Sequence, residues 1–387
     1  MPAFPYLRLQ LMVFALVSAA FTNIYLAQPV LPMVQLEFGI DIAEVSWAVS
    51  AVILGMALAN LPFGLVVDRW PIQPIILVGG LVVATAGLVC ALTDSFPVLI
   101  AARFVQGLFI PALTTSIAAY LGKTLPIDKL SVVMGSYVAA TVLGGLGGRL
   151  MGGWMFPANH WRYAFIATAI LTVVTTLVAV IGLPKPGLTH RHSTITQSYR
   201  QLLAQWPLVR YFICAAGSFA VFSSVFNYLP FRLADAPFGW STEATTTLYL
   251  VYIMGIFMAP LAGRLSVRFG SRVTLVAGSL VLLLALLLLQ LASLIAVIVG
   301  LTAVCAGFFC VHAAAVGALN RSLSSGHGRA NALYVLFYYV GGWLGISLNG
   351  LLYQHWGWSG VIALSLLLVL IPLAVGLTER RTPSPLA

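Results

Sequence analysis

Charge is what this 387-residue chain has least of: only 7% of its residues are charged, and nine of them are acidic. Soluble domains carry about a quarter, so a water-facing surface of ordinary composition is excluded. Four cysteines, Cys90, Cys214, Cys305 and Cys310, all sit inside apolar runs, which excludes a disulfide framework and a cysteine metal cluster. Walker loops, Ser-His-Asp sets and metal-ligand clusters are missing too, so the expectation is no enzyme, no ATP use and no cofactor.

What remains is 61% hydrophobic, with mean hydropathy +1.02. Each helix needs about 20 apolar residues to cross a bilayer core. The apolar runs predict twelve spans, near 9–32, 44–67, 72–92, 95–121, 130–154, 161–183, 208–231, 242–266, 272–293, 295–320, 330–352 and 357–378. The net charge of +10 would suit nucleic acid if it were clustered. Instead the basic residues alternate along the chain. Arg8, Arg69, Lys123, Arg200, Arg268, Arg321 and Arg380 fall between spans on one side, while Glu37, Asp41, Glu44, Asp94, Asp235 and Glu243 fall on the other. By the positive-inside rule both termini are expected in the cytoplasm, with lipid as the partner and no nucleic acid.

The organising stretch is Gly64-Leu65-Val66-Val67-Asp68-Arg69-Trp70-Pro71, and it is echoed as Gly263-Arg264-Leu265-Ser266-Val267-Arg268-Phe269-Gly270-Ser271-Arg272. Gly64 precedes Gly263 by 199 residues, Asn23 precedes Asn227 by 204, and Gly144 precedes Gly341 by 197. Near-constant spacing predicts two six-helix halves, 1–183 and 208–387, joined by a polar cytoplasmic linker over 184–207.

Both copies resemble the Gly-x-Leu-small-Asp-Arg-x-Gly-Arg-Lys loop of the major facilitator superfamily. The first copy keeps Gly64, Asp68 and Arg69; the second keeps Gly263, Arg268, Gly270 and Arg272 but has Val267 at the Asp position. The resemblance implies a conformational gate at these residues, with Gly64 admitting a close neighbour and Asp68 acting as a latch. Leu99, Arg103, Gln106 and Gly107 match the family's fourth-helix motif, Leu-x-x-x-Arg-x-x-Gln-Gly. The fifth span, with Gly144, Gly148, Gly152 and Gly153, resembles the Gly-Pro-x-x-Gly-Gly core of the antiporter motif, with Arg149 in place of the Pro. The chain is similar to the twelve-helix drug:proton antiporter branch, the bacterial arabinose-efflux-permease-like exporters. The implied activity is export of a small molecule across the inner membrane by alternating access with proton antiport, as a monomer. The alternative is a facilitator or an anion-substrate carrier without proton antiport.

Polar groups inside spans are expensive and mark pathways or helix contacts. Asn23, Tyr25 and Gln28 before Pro29, and Asn227 and Tyr228 before Pro230, are the matching polar clusters of the two halves and are expected to line a cavity. Arg103 and Arg149 fall at one depth without a membrane carboxylate, which predicts an anionic solute as their counter-charge. His312 is the titratable candidate of the second half.

Overall fold

The computed structural model describes residues 4–67, 69–183 and 197–379, and no strand occurs among them. The helices in chain order are α1 (Phe4–Tyr25), α2 (Leu31–Phe38), α3 (Ile42–Val45), α4 (Trp47–Val66), α5 (Ile72–Leu92), α6 (Phe96–Leu113), α7 (Thr115–Thr124) and α8 (Ile127–Leu150). They continue with α9 (Arg162–Gly182), α10 (Tyr199–Leu203), α11 (Trp206–Ala234), α12 (Thr242–Thr247), α13 (Met254–Phe269), α14 (Ser271–Leu288), α15 (Leu294–Arg321) and α16 (His327–Thr378).

Several expected spans are built from two helices, and the breaks have local causes. Pro29 starts a 3-10 turn between α1 and α2, so the first span runs on to Phe38 instead of ending at 32. Pro111 lacks the N–H of a continuous helix, and α6 gives way to α7 at Thr114. Gly357 adopts φ 59°, ψ −149°, a conformation open to glycine alone, and divides the 52-residue α16 into two crossings. Among the described residues ten helical stretches are long and apolar enough to cross a membrane. One is this double-length α16, and α8, outside the ten, completes twelve crossings.

The chain divides into two compact units, Met1–Gly39 with Trp47–Ser193, and Ile40–Ser46 with Thr194–Ala387. One division lies between 193 and 194, and the other two set the short segment Ile40–Ser46, with α3, in the second unit, whereas the expected first half, 1–183, included it. Residues 184–196 of the expected linker lie outside the described residues, but its end is ordered helix. Ser198 and Gln201 form a capping box on α10, and α11 begins at Trp206.

In the first unit α1 packs on α8 and α9, α4 on α6, and α5 on α6 and α9. In the second, α11 packs on α16, α13 on α15, and α14 on α15 and α16. Apolar side chains such as Leu92, Ile170, Leu284 and Ile295 point outward. That arrangement is stable only where the surroundings are themselves apolar.

Candidate functional site

Glycine brings the helices of each unit close enough for polar side chains to meet. A Cβ at Gly144 or Gly148 of α8, or at Gly152 in the turn that continues it, would lie 2.5, 2.4 or 1.8 Å from the carbonyl oxygens of Ser18 and Thr22 of α1 and of Leu26 just after it. The three pairs are four residues apart on both segments, so one face of α8 rests on the backbone of α1. Gly153 is buried beside them. The second unit repeats the device: Gly341 and Gly345 of α16 would meet Ala216 and Ala220 of α11 at 2.2 and 2.7 Å. One turn on, the glycine is replaced by Asn349, whose amide donates to the Ser224 hydroxyl at 2.9 Å.

Where α1 crosses α4 and α6, Arg103 is fully buried. Its Nε donates to the Ala48 carbonyl, and its terminal nitrogens donate to the carbonyls of Asn23 and Ile24 and to Gln106 Oε1, each at 2.7 Å. Gln106 passes its own amide to the Val83 carbonyl at 3.2 Å and to Asn23 Oδ1 at 3.4 Å. Asn23 Nδ2 donates to Thr172 Oγ1 on α9 at 2.8 Å. Five helices are thereby tied at one level around a single guanidinium. The charge is balanced by carbonyl and amide oxygens, so Asn23 and Arg103 face protein here.

Arg149 occupies a second polar knot one turn along. Its Nε donates to Gln28 Oε1 and a terminal nitrogen to the Gly145 carbonyl, both at 2.7 Å, and its Cζ stands 3.9 Å from the centroid of the Tyr25 ring. An aromatic face at that distance is an electrostatic partner for a cation. Immediately beyond, Met151–Met155 form a single π-helical turn, which widens α8 beside Gly152.

The polar cluster expected in the second unit is also turned inward. Asn227 and Tyr228 are buried, the Tyr228 hydroxyl donates to the Ile346 carbonyl at 2.6 Å, and its ring stacks on Tyr353 at 5.5 Å. What the second unit holds instead is a continuous aromatic wall. Phe219 stacks on Tyr338 at 3.7 Å and Phe222 on Phe308 at 4.0 Å, while Tyr252 meets Phe226 at 4.6 Å. His312 ends the wall, stacked on Phe308 at 5.8 Å, with Nδ1 3.1 Å from the Tyr334 hydroxyl. In the sequence the polar residues of α11 stand out more than this stripe does. Its signal was there, since Phe219, Phe222 and Phe226 recur at helical spacing.

The signature loops are arranged differently from expectation. A Cβ at Gly64 or Gly263 would meet nothing within 4 Å, so the close approach expected at Gly64 is absent. The tight glycines of α4 and α6 are Gly55, where a Cβ would stand 2.6 Å from the Phe104 carbonyl oxygen, and Gly107, where one would stand 2.2 Å from that of Val52. Asp68 lies outside the described residues. Arg69 is exposed in the turn after α4. In the second copy Gly270 takes φ +87°, which joins α13 to α14 in one residue, and Arg268 lies over the Phe269 ring at 5.2 Å. At the opposite end of the first unit, Glu37 accepts from Trp161 Nε1 at 2.6 Å and from Arg162, which also donates to the Thr93 carbonyl at 2.9 Å. This ties α2, α5 and α9.

The family model of the Major Facilitator Superfamily matches residues 13–311 and 238–387. The Escherichia coli inner membrane transport protein YnfM is 28% identical over 380 residues, covering 97% of this chain and 91% of its own. The Bacillus subtilis MFS-type transporter YybF is 25% identical, covering 93% and 91%. Among solved structures, the bacterial homologue of the human lysosomal transporter Spinster, inward-facing and occupied, superposes with TM-score 0.78 over 95% of this chain and 94% of its own at 15% identity. With twelve crossings in two repeated units and a family model matching nearly its whole length, this multi-pass membrane chain belongs to the major facilitator superfamily of transporters.

Proposed function

We propose that the chain exports a small organic molecule from the bacterial cytoplasm by alternating access of its two six-helix halves, in exchange for protons, and that its aromatic wall holds the cargo. The observation that carries this reading is the wall itself. Most of its rings are buried against one another, and Phe309, Tyr338 and His312 are half-buried along its edge; an aromatic edge with one imidazole suits a flat, largely apolar solute with one polar group. His312 supplies a proton-binding nitrogen on that edge. The export direction is supported by the glycine pattern of α8, which is similar to that of antiporters.

Proteoliposomes with an imposed pH gradient test the reading with flat aromatic solutes, neutral and anionic. Wild type is expected to accumulate the solute against its gradient, and His312→Ala is expected to uncouple accumulation from pH while downhill flux continues. Coupled accumulation undiminished in His312→Ala would remove the histidine from the proposal. A second reading, a facilitator or an anion carrier without proton antiport, is favoured by one observation: among the described residues no carboxylate lies in the interior of a span. It requires that flux follow the solute gradient, or the voltage, with no response to pH.

A further inference from the structure

The α13–α14 turn of the second unit is rich in arginine, and Glu379, the acid described at that end of the unit, is taken by Arg210. Arg264 and Arg268 stand exposed one turn apart on α13, Arg272 lies in the first turn of α14, and Arg321, the last residue of α15, donates to the Ser271 hydroxyl. Among the described residues none of the four pairs with a carboxylate. Val267 occupies the place where the superfamily pattern has its Asp, and it is 67% exposed. Cations gathered around one connection between helices repel one another unless an anion is supplied from outside.

The rest of the α13 surface says which anion. Phe257, Leu261, Arg264 and Arg268 follow at intervals of four, three and four residues, so they form one stripe along the helix. Phe257 is 64% and Leu261 45% exposed, and Phe269 and Val273 extend the apolar margin around the turn. From Phe257 to Arg264 is about 10 Å of helix. An exposed apolar stripe that ends in two guanidinium groups one turn apart is complementary to a phospholipid, with its acyl chain along Phe257 and Leu261 and its phosphate between Arg264 and Arg268. Guanidinium binds phosphate oxygens in bidentate fashion.

We infer that the α13–α14 turn, through Arg264, Arg268 and Arg272, is a binding site for an anionic phospholipid of the leaflet on its side. Each arginine near an anionic surface contributes a factor of about five. The full-length protein, purified in mild detergent, would be titrated with phosphatidylglycerol or phosphatidylcholine, and bound lipid counted by native mass spectrometry. Wild type is expected to retain phosphatidylglycerol selectively, and Arg264→Gln with Arg268→Gln to weaken that retention roughly 25-fold. Val267→Asp removes no cation but places a carboxylate one turn from Arg264. It is expected to weaken phosphatidylglycerol in the same direction, with no change in the detergent melting temperature. Equal retention of the two lipids, or retention indifferent to Val267→Asp, overturns the site. Displacement of the lipid by millimolar inorganic phosphate would also overturn it, since the acyl contact would then contribute nothing.

Discussion

Arg103 shows how a cation lives inside a span without an acid. Its partners are three backbone carbonyls and one amide oxygen, drawn from α1, α4 and α6 itself. Hydrogen bonds between membrane helices average about 0.6 kcal/mol and reach about 1.7. Arg103→Ala is therefore expected to lower stability in detergent by about 2 to 4 kcal/mol, because the abandoned carbonyls stay buried. Arg103→Lys is expected to recover less than half of that loss, since one ammonium cannot reach acceptors spread across a planar guanidinium fork. Chemical denaturation followed by tryptophan fluorescence measures both. A variant that melts as wild type but no longer transports would mean that Arg103 acts on cargo or protons instead of holding helices. The sequence revealed the residue and its cost but not its partners, because carbonyls such as those of Ala48 and Ile24 belong to every residue type and leave no mark in a sequence.

Among the helices, the glycines separate into those that touch and those that do not. Gly148 faces the backbone of α1, and Gly152, just past α8, faces that of Leu26, just past α1, at distances no Cβ accepts, so Gly148→Ala or Gly152→Ala must push the two segments apart. Overpacking of this kind costs typically 1 to 3 kcal/mol. Gly345→Ala is expected to do the same to the α11–α16 pair, where Ala220 is the obstacle. Gly64→Ala and Gly263→Ala should behave oppositely, because both sites have open space and alanine is the better helix former by about 1 kcal/mol. Thermal melts of the five variants check this ordering, and equal losses at Gly64 and Gly148 would contradict it. The motif alone assigned close packing to Gly64. Fold was legible because apolar runs and their repeat survive in the sequence, whereas a glycine's contact depends on which neighbour the crossing angle brings opposite it. The aromatic wall was missed for a related reason: Phe222 and Phe308 are 86 residues apart, and each alone reads as an ordinary lipid-facing or core ring.

At the scale of the molecule, an even number of crossings predicts both termini on one side of the membrane, and the basic loops predict that side to be the cytoplasm. Cysteines placed at positions 185 and 385 are expected to react with impermeant reagents only in inside-out vesicles. Labelling of the linker in right-side-out vesicles would reverse the topology. The repeats are unequal in one respect that bears on transport. The first signature loop has Asp68, and the second has Val267 in its place. If alternating access is a balance between two states a few kcal/mol apart, an acid present in only one loop biases that balance in one direction. An exposed or partly buried ion pair contributes up to about 1 kcal/mol, enough to change the population ratio about fivefold. Asp68→Asn is therefore expected to shift the ratio of outward to inward accessibility of a cavity cysteine by up to that factor, and to change turnover without changing substrate affinity in the state that binds. Paired labelling from the two sides, with transport rates on the same vesicles, reads both quantities. An unchanged ratio with an unchanged rate would leave Asp68 a solvated turn residue and return the bias to the helix packing of the two halves.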